Sequence, residues 1–264
     1  MEIFGYIGAV FIGLTLGLIG GGGSILTVPV LVYLFGLDPV ISTAYSLFIV
    51  GLTALAGAIS YMKQKLVDYK ATIVFAIPAF IAVFLTRKFL VPWIPETIFS
   101  INEFIVTKSL FIMVLFALLM LASSFSMIKK TKKEESLKPQ SFNYPLITIE
   151  GFVVGVLTGL VGAGGGFLII PALVVLAKLP MKMAVGTSLL IIAVKSLIGF
   201  LGDLNNFEID WIFLSSISVI TIIGIIGGSY LSKFISAAKL KPAFGWFVLV
   251  MGFYILIKEF SKSL

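Results

Sequence analysis

Apolar residues fall along the chain in long blocks separated by short polar stretches, at about 3–19, 24–36, 41–62, 69–91, 104–127, 144–162, 166–178, 183–202, 209–234 and 239–258. A bilayer core is about 30 Å thick and takes roughly 20 helical residues to cross. Most of the blocks therefore predict membrane-spanning helices. Blocks 24–36 and 166–178 are too short for a comfortable crossing. Each stands directly behind a glycine cluster, Gly20-Gly21-Gly22-Gly23-Ser24 in one case and Gly162-Ala163-Gly164-Gly165-Gly166 in the other.

That coincidence belongs to an internal repeat. A shift of 142 positions lays Gly13, Gly17, Gly20, Gly22, Gly23 and Pro29 on Gly155, Gly159, Gly162, Gly164, Gly165 and Pro171. The same shift lays Ser46 on Ser188, Gly57 on Gly199 and Asp68 on Asp210. The chain divides into a first membrane repeat, 1–128, a basic linker, 129–143, and a second repeat, 144–264, packed as one transmembrane domain.

Short loops rich in Lys and Arg stay on the cytoplasmic side. Lys63, Lys65 and Lys70 mark one such loop, Lys129, Lys130, Lys132, Lys133 and Lys138 the linker, and Lys233, Lys239 and Lys241 a third. The second-repeat counterpart of 63–70 carries Asp203, Glu208 and Asp210 and no base, so it belongs outside. Equivalent loops on opposite sides predict inverted halves. Arg87-Lys88 runs against the trend, since the scheme puts this pair at the outer face. Parity closes if each glycine cluster tips a hairpin followed by three crossings; two short spans would serve equally. The expected fold is an all-α polytopic membrane protein with two inverted-topology repeats, each a glycine-broken helical hairpin plus three transmembrane helices.

Composition agrees. The 264 residues are 59% hydrophobic and 12% charged, with mean hydropathy +1.17, whereas soluble domains carry about 25% charged residues. No histidine is present, which excludes the usual zinc sites, His-based triads and imidazole proton relays. No cysteine is present either, which excludes disulfides and thiolate chemistry. The net charge of +7 is topological rather than a nucleic-acid signal, because much of it sits in loops between apolar blocks. The N-terminal block lacks a basic lead and a cleavage site and is expected to stay in the mature chain.

The glycines carry candidate chemistry. A four-glycine run costs about 1 kcal/mol per residue in a helix relative to Ala, and irregular backbone at membrane depth survives only against protein or a water-filled cavity. The helices restarting at Ser24 and Gly166 would aim free N–H groups and a positive dipole end at that cavity, an arrangement that binds anions. Gly20, Gly21, Gly22, Gly23, Ser24, Gly162, Gly164, Gly165 and Gly166 are therefore candidate substrate contacts, weighed against plain close packing. Packing is the role of the GxxxG pairs Gly13/Gly17 and Gly155/Gly159. A nucleotide-binding loop does not fit, because no GK[ST] follows either cluster.

Lys195 lies near the middle of block 183–202, where a charge costs about 2.5–3.5 kcal/mol, and its repeat counterpart is Thr53. A cavity-facing cation for an anionic substrate is the leading reading; an ion pair or a misplaced helix end are the others. Ser46, Thr187 and Ser188 stand about two turns before that level. Their hydroxyls would donate either to an oxyanion or to carbonyls of their own helices. Asp68 and Asp210, each followed by an aromatic residue, read as helix starts. The lysine-rich linker also suits membrane lipid.

The strings GLIGGGGSILTVPVL, GLVGAGGGFLIIPAL and AVGTSLLIIAVKSLIGFLGDL, with IDW and GIIGGSYLSKF after them, resemble the sulfite exporter TauE/SafE family of membrane permeases over about 5–258. The resemblance implies transport of sulfur-containing oxyanions, sulfite or small organosulfonates, across the bacterial inner membrane. Export is downhill for an anion leaving a negative-inside cell, by about 2.3 kcal/mol per charge per 100 mV. Uptake would need Na⁺ or H⁺ coupling, and no proton carrier is evident. An ion-coupled uptake permease, an anion channel and a non-transporting membrane scaffold are the alternatives; no cofactor is expected, and oligomeric state is not legible. Lys195 comes from position alone and not from the resemblance.

Overall fold

A computed structural model describes residues 2–101, 104–128, 144–206, 208–232, 234 and 237–262. The linker 129–143 and Lys233 lie outside them, as do the side chains of Lys239 and Lys241. The first half runs α1 (Glu2–Ile19), a 3-10 turn (Gly21–Leu26), α2 (Thr27–Tyr33), α3 (Pro39–Lys63) and α4 (Tyr69–Leu85). A π turn (Thr86–Leu90) and α5 (Val91–Trp93) extend α4, and strands β1 (Thr97–Ile101) and β2 (Phe104–Thr107) precede α6 (Lys108–Ile128). The second half runs α7 (Tyr144–Val161), α8 (Gly166–Val175), α9 (Met181–Leu201), α10 (Trp211–Leu231) and α11 (Ala237–Lys262).

Among the described residues, six helices are long and apolar enough to cross a membrane: Pro39–Lys63, Tyr69–Trp93, Lys108–Phe125, Met181–Leu201, Trp211–Leu231 and Pro242–Ser261. Four apolar helices are shorter, Ile3–Ile19, Gly21–Tyr33, Pro145–Val161 and Gly166–Val175. The body is helical, as the apolar blocks predict. The exception is an antiparallel hairpin that pairs Thr97 with Thr107 and Ile101 with Phe104, so block 104–127 begins as a strand. Glu96 closes this hairpin by accepting the Lys108 backbone N–H at 2.9 Å and standing 3.7 Å from its ammonium.

Helix starts follow their capping residues. Asp38 accepts from the backbone N–H of Val40 at 2.7 Å, with Pro39 in the first turn of α3. Asp68 accepts from Ala71 at 2.8 Å and Asp210 from Phe213 at 2.9 Å, while Tyr69 and Trp211 beside them are exposed. Both aspartates are helix starts with aromatic neighbours, as read from the sequence.

Close packing comes from glycine. A methyl group on Gly13 would fall on Thr221 O and one on Gly17 on Ile225 O, so α1 lies parallel to α10 with the backbones touching. Gly155 meets Ala79 and Gly159 meets Val83 in the same way, so α7 lies parallel to α4. These are the two GxxxG pairs, and packing is their role. Gly51 lies against Leu197 and Gly57 against Leu189, so α3 and α9 run antiparallel through the middle of the molecule. On the other side of Gly57 is Ile225, and on the other side of Gly199 is Val83. The contacts of Gly13, Gly17 and Gly57 thus recur at Gly155, Gly159 and Gly199 with partner numbers displaced by 142, Leu47 answering to Leu189. Hydrogen bonds do likewise: Asp68 N–H donates to Thr187 Oγ1 at 2.9 Å, and Asp210 N–H donates to Tyr45 Oη at 2.8 Å.

Gly5 abuts Phe35, Gly8 abuts Val30 and Leu34, and Gly23 abuts Leu16. The segment after the first glycine cluster therefore folds back along α1 as a hairpin. Neighbouring positions on α10 separate packing from composition. Gly228→Ala, whose methyl would enter the backbone of Leu14, is expected to lower the melting temperature in detergent by several degrees, while Gly227→Ala, with its nearest atom at 3.5 Å, leaves it unchanged or raised. Equal effects of the two substitutions would contradict this packing.

Candidate functional site

The two glycine clusters meet. A methyl group on Gly166 would lie on the backbone of Gly21, one on Gly21 would reach the Gly166 Cα and Ile192, and one on Gly164 would reach Ser24 and Val50. Ser24 and all four glycines 20–23 are buried, as are Gly162, Gly164, Gly165 and Gly166. Val50 and Ile192 stand mid-length on α3 and α9, so the breaks touch at the centre of the antiparallel pair.

The halves break differently. In the second, residues 162–165 leave the helix, Gly162 and Gly165 at φ +68° and +72°, and α8 restarts at Gly166 behind an αL glycine, as the composition predicts. In the first, the expected restart at Ser24 is not what forms. Only Gly20, at φ +77° and ψ −149°, breaks the chain, and Gly21–Gly23 enter a 3-10 turn with Ser24 Oγ bonded to Gly21 O at 2.7 Å. Burial against protein on every side compensates the helix cost that glycine carries in isolation.

Lys195 is fully buried on α9. Its Nζ donates to Thr158 Oγ1 at 2.7 Å, and a methyl group on Gly165 would stand 3.3 Å from it. Among the described residues no carboxylate pairs with it, in contrast to Arg87 with Asp203 and Lys108 with Glu96. Leu168 N–H and Ile169 N–H are the first to bond back, both to Gly165 O. The first N–H groups of α8 and its positive dipole end thus share the neighbourhood of an ammonium. A helix start and a basic side chain close together in a buried space are an arrangement able to hold an anion.

The predicted hydroxyls take separate positions. Ser188 donates to Val185 O at 2.8 Å, within its own helix. Thr187 accepts from Asp68 N–H, at the Lys63 end of the bundle. Ser46 is fully buried with no hydrogen-bond partner, and Ser196, beside Lys195, is in the same condition, as are Ser42 and Thr27. Sequence reading missed Thr158, Ser196 and the cluster at Arg87. Arg87 is fully buried in the π turn, with Nε 2.6 Å from Asp203 Oδ2. It is a buried pair rather than a solvated loop charge, which explains its departure from the loop-charge trend. Lys88 next to it is exposed and stands 5.4 Å above the Phe84 ring.

Thr158→Val would strip the buried ammonium of its hydroxyl, at a cost of about 1–3 kcal/mol. Adding Lys195→Met to that background should restore most of the lost thermal stability. An additive double variant in a melting cycle would show that the two side chains are not coupled.

The profile of the family described as "Sulfite exporter TauE/SafE" matches residues 6–257. The chain is similar to "Probable membrane transporter protein YunE" of Bacillus subtilis (strain 168), 30% identical over 217 residues, covering 74% of this chain and 76% of that protein. It is also similar to a "Probable membrane transporter protein" of Xylella fastidiosa (strain 9a5c), 29% identical over 260 residues, 95% of this chain and 93% of that one. No solved structure matches.

Proposed function

The chain belongs to the sulfite exporter TauE/SafE family and is a multi-pass membrane transporter; from that premise we propose that it moves a small sulfur-containing oxyanion, sulfite or an organosulfonate, across the bacterial inner membrane by alternating access, in the direction of export. The observation that carries this reading is the buried Lys195 ammonium beside the Gly165–Gly166 end of α8 with no carboxylate partner among the described residues. An oxyanion there would take the ammonium and free N–H groups of α8, and the Gly20–Ser24 turn would close over it. Ser46 is a further buried donor on the facing helix; Thr187 and Ser188 already make the bonds given above, so their share would be as second partners of the same groups.

Two inverted repeats fit a rocking carrier. Their support is the antiparallel run of α3 and α9, which the 142-residue shift relates, together with the pairing of α1 with α10 and α7 with α4. In that arrangement a central site faces two opposite vestibules of similar construction, and tilting one half against the other exposes it to each side in turn. Membrane potential supplies the direction, at about 2.3 kcal/mol per charge per 100 mV for an anion leaving a negative-inside cell.

Labelled-sulfite counterflow in proteoliposomes at clamped potential tests the proposal. Saturable uptake accelerated by internal sulfite is expected. Lys195→Met is expected to raise the half-saturating concentration at least tenfold, about 1.4 kcal/mol, at unchanged folded yield. Transport indifferent to Lys195→Met would take the lysine out of the site. Absence of counterflow across a panel of sulfite, thiosulfate and sulfonates would overturn the reading.

A further inference from the structure

The Arg87 cluster is assembled from four elements. Arg87 comes from the π turn after α4, Asp203 from the turn after α9, Thr43 from the first turns of α3, and Gly159 from α7. Arg87 Nε donates to Asp203 Oδ2 at 2.6 Å, and Nη1 donates to Thr43 Oγ1 at 2.9 Å and to Gly159 O at 3.1 Å. Arg87 is fully buried and Asp203 nearly so. Yet Arg87 Nη2 has no hydrogen-bond partner, and Asp203 Oδ1 has none in good geometry, with the Asn206 side chain the polar group near the carboxylate. An arginine and a carboxylate ordinarily meet fork to fork, with two parallel bonds. Here one edge is used, and a donor and an acceptor stand idle in a buried space.

The position of this cluster relative to Lys195 is informative. Lys195 bonds Thr158 and Arg87 bonds Gly159, consecutive residues of α7. Thr43, which holds Nη1, also abuts Gly162, where the second glycine break begins. The two buried cations thus flank the same break, Lys195 at its Gly165 end and Arg87 at its Gly162 end. Arg87 lies toward the N-terminal end of α3, the end of the bundle opposite the exposed Lys63 and Lys65. A π turn inside a helix is a feature frequent at functional sites.

We propose that Arg87 is a second binding position for the transported oxyanion, between Lys195 and the membrane face opposite Lys63, and that Asp203 is the resident counter-anion that closes it. This rests on the oxyanion-carrier reading above. Substrate and Asp203 compete for one guanidinium. With the substrate at Lys195, Asp203 occupies Arg87 and the path is shut. When the oxyanion moves to Arg87, its oxygens take the fork that Asp203 engages by one edge, and the displaced carboxylate repels the anion onward. A planar five-donor group suits a three-oxygen sulfur anion better than a lysine would, and a competing anion keeps binding weak enough for release.

The absence of cysteine permits a test free of background. Ser196→Cys places a single thiol at a buried position of α9 next in sequence to Lys195, to be labelled with the anionic, membrane-impermeant reagent sulfonatoethyl methanethiosulfonate applied from the face opposite Lys63. Asp203→Asn in that background is expected to speed labelling at least tenfold. In the cysteine-free chain the same substitution should lower the half-saturating sulfite concentration on that face at least threefold. Arg87→Gln/Asp203→Asn leaves no orphan charge to threaten folding, and it should also label fast but without the gain in affinity. A pair that only staples α4 to the α9 turn would leave labelling of both folded variants within twofold of the parent, and that result overturns the proposal. Labelling needs no sulfite, so it stands apart from the counterflow experiment. Fast labelling without sulfite counterflow would keep the gate and remove sulfite as its cargo, whereas normal counterflow with unchanged labelling would keep the carrier and remove the gate.

Discussion

Gly21 and Gly166 approach so closely that a side chain at either would occupy the other's backbone. That contact is where the two broken segments cross, and most of the remaining architecture serves it. Helices α3 and α9 run antiparallel past the crossing, and α1 with α10 and α7 with α4 are pressed together by glycines on either side. Irregular backbone inside a membrane needs protein or a polar cavity to satisfy it. Here each break is enclosed by the other and by the two central helices, so the cost of leaving helical geometry is offset where the breaks meet.

Enclosure creates an electrostatic problem as well as solving a hydrogen-bonding one. The restart of α8 at Gly166 brings a positive helix end to the centre, and Lys195 brings its amino group to the same place, held by Thr158 and by no carboxylate among the described residues. A buried positive charge without a counter-ion is costly, and in the proposed carrier a mobile anion meets that cost. Arg87, by contrast, keeps its charge balanced by Asp203. The two basic side chains are buried in two ways: Arg87 against a carboxylate, Lys195 against a hydroxyl.

Much of this was legible in the sequence. Repeated glycine clusters and short apolar blocks located the breaks, and the mid-block position of Lys195 singled it out before any contact was known. Asp68 and Asp210 announced their helices because capping is a local interaction. What stayed hidden depended on long-range contact. Thr158 looks like any membrane threonine until Lys195 bonds it. Arg87 and Asp203 are 116 positions apart, so their charges read as a topological exception and an acidic loop. The 3-10 turn at Gly21–Gly23 contradicts glycine's helix propensity because tertiary burial, and not propensity, decides its form. The β1–β2 hairpin was absorbed into an apolar block, since hydrophobic runs by themselves do not tell strand from helix.

The account turns on an anion seated between Lys195 and the start of α8. The most direct measurement is a structure of the full chain with selenite, a heavier analogue of sulfite whose selenium scatters anomalously. An anomalous peak is expected within hydrogen-bond reach of Lys195 Nζ and the backbone N–H groups at Gly165–Gly166, lost in Lys195→Met. Selenite found elsewhere while the Lys195 pocket stays empty would contradict it.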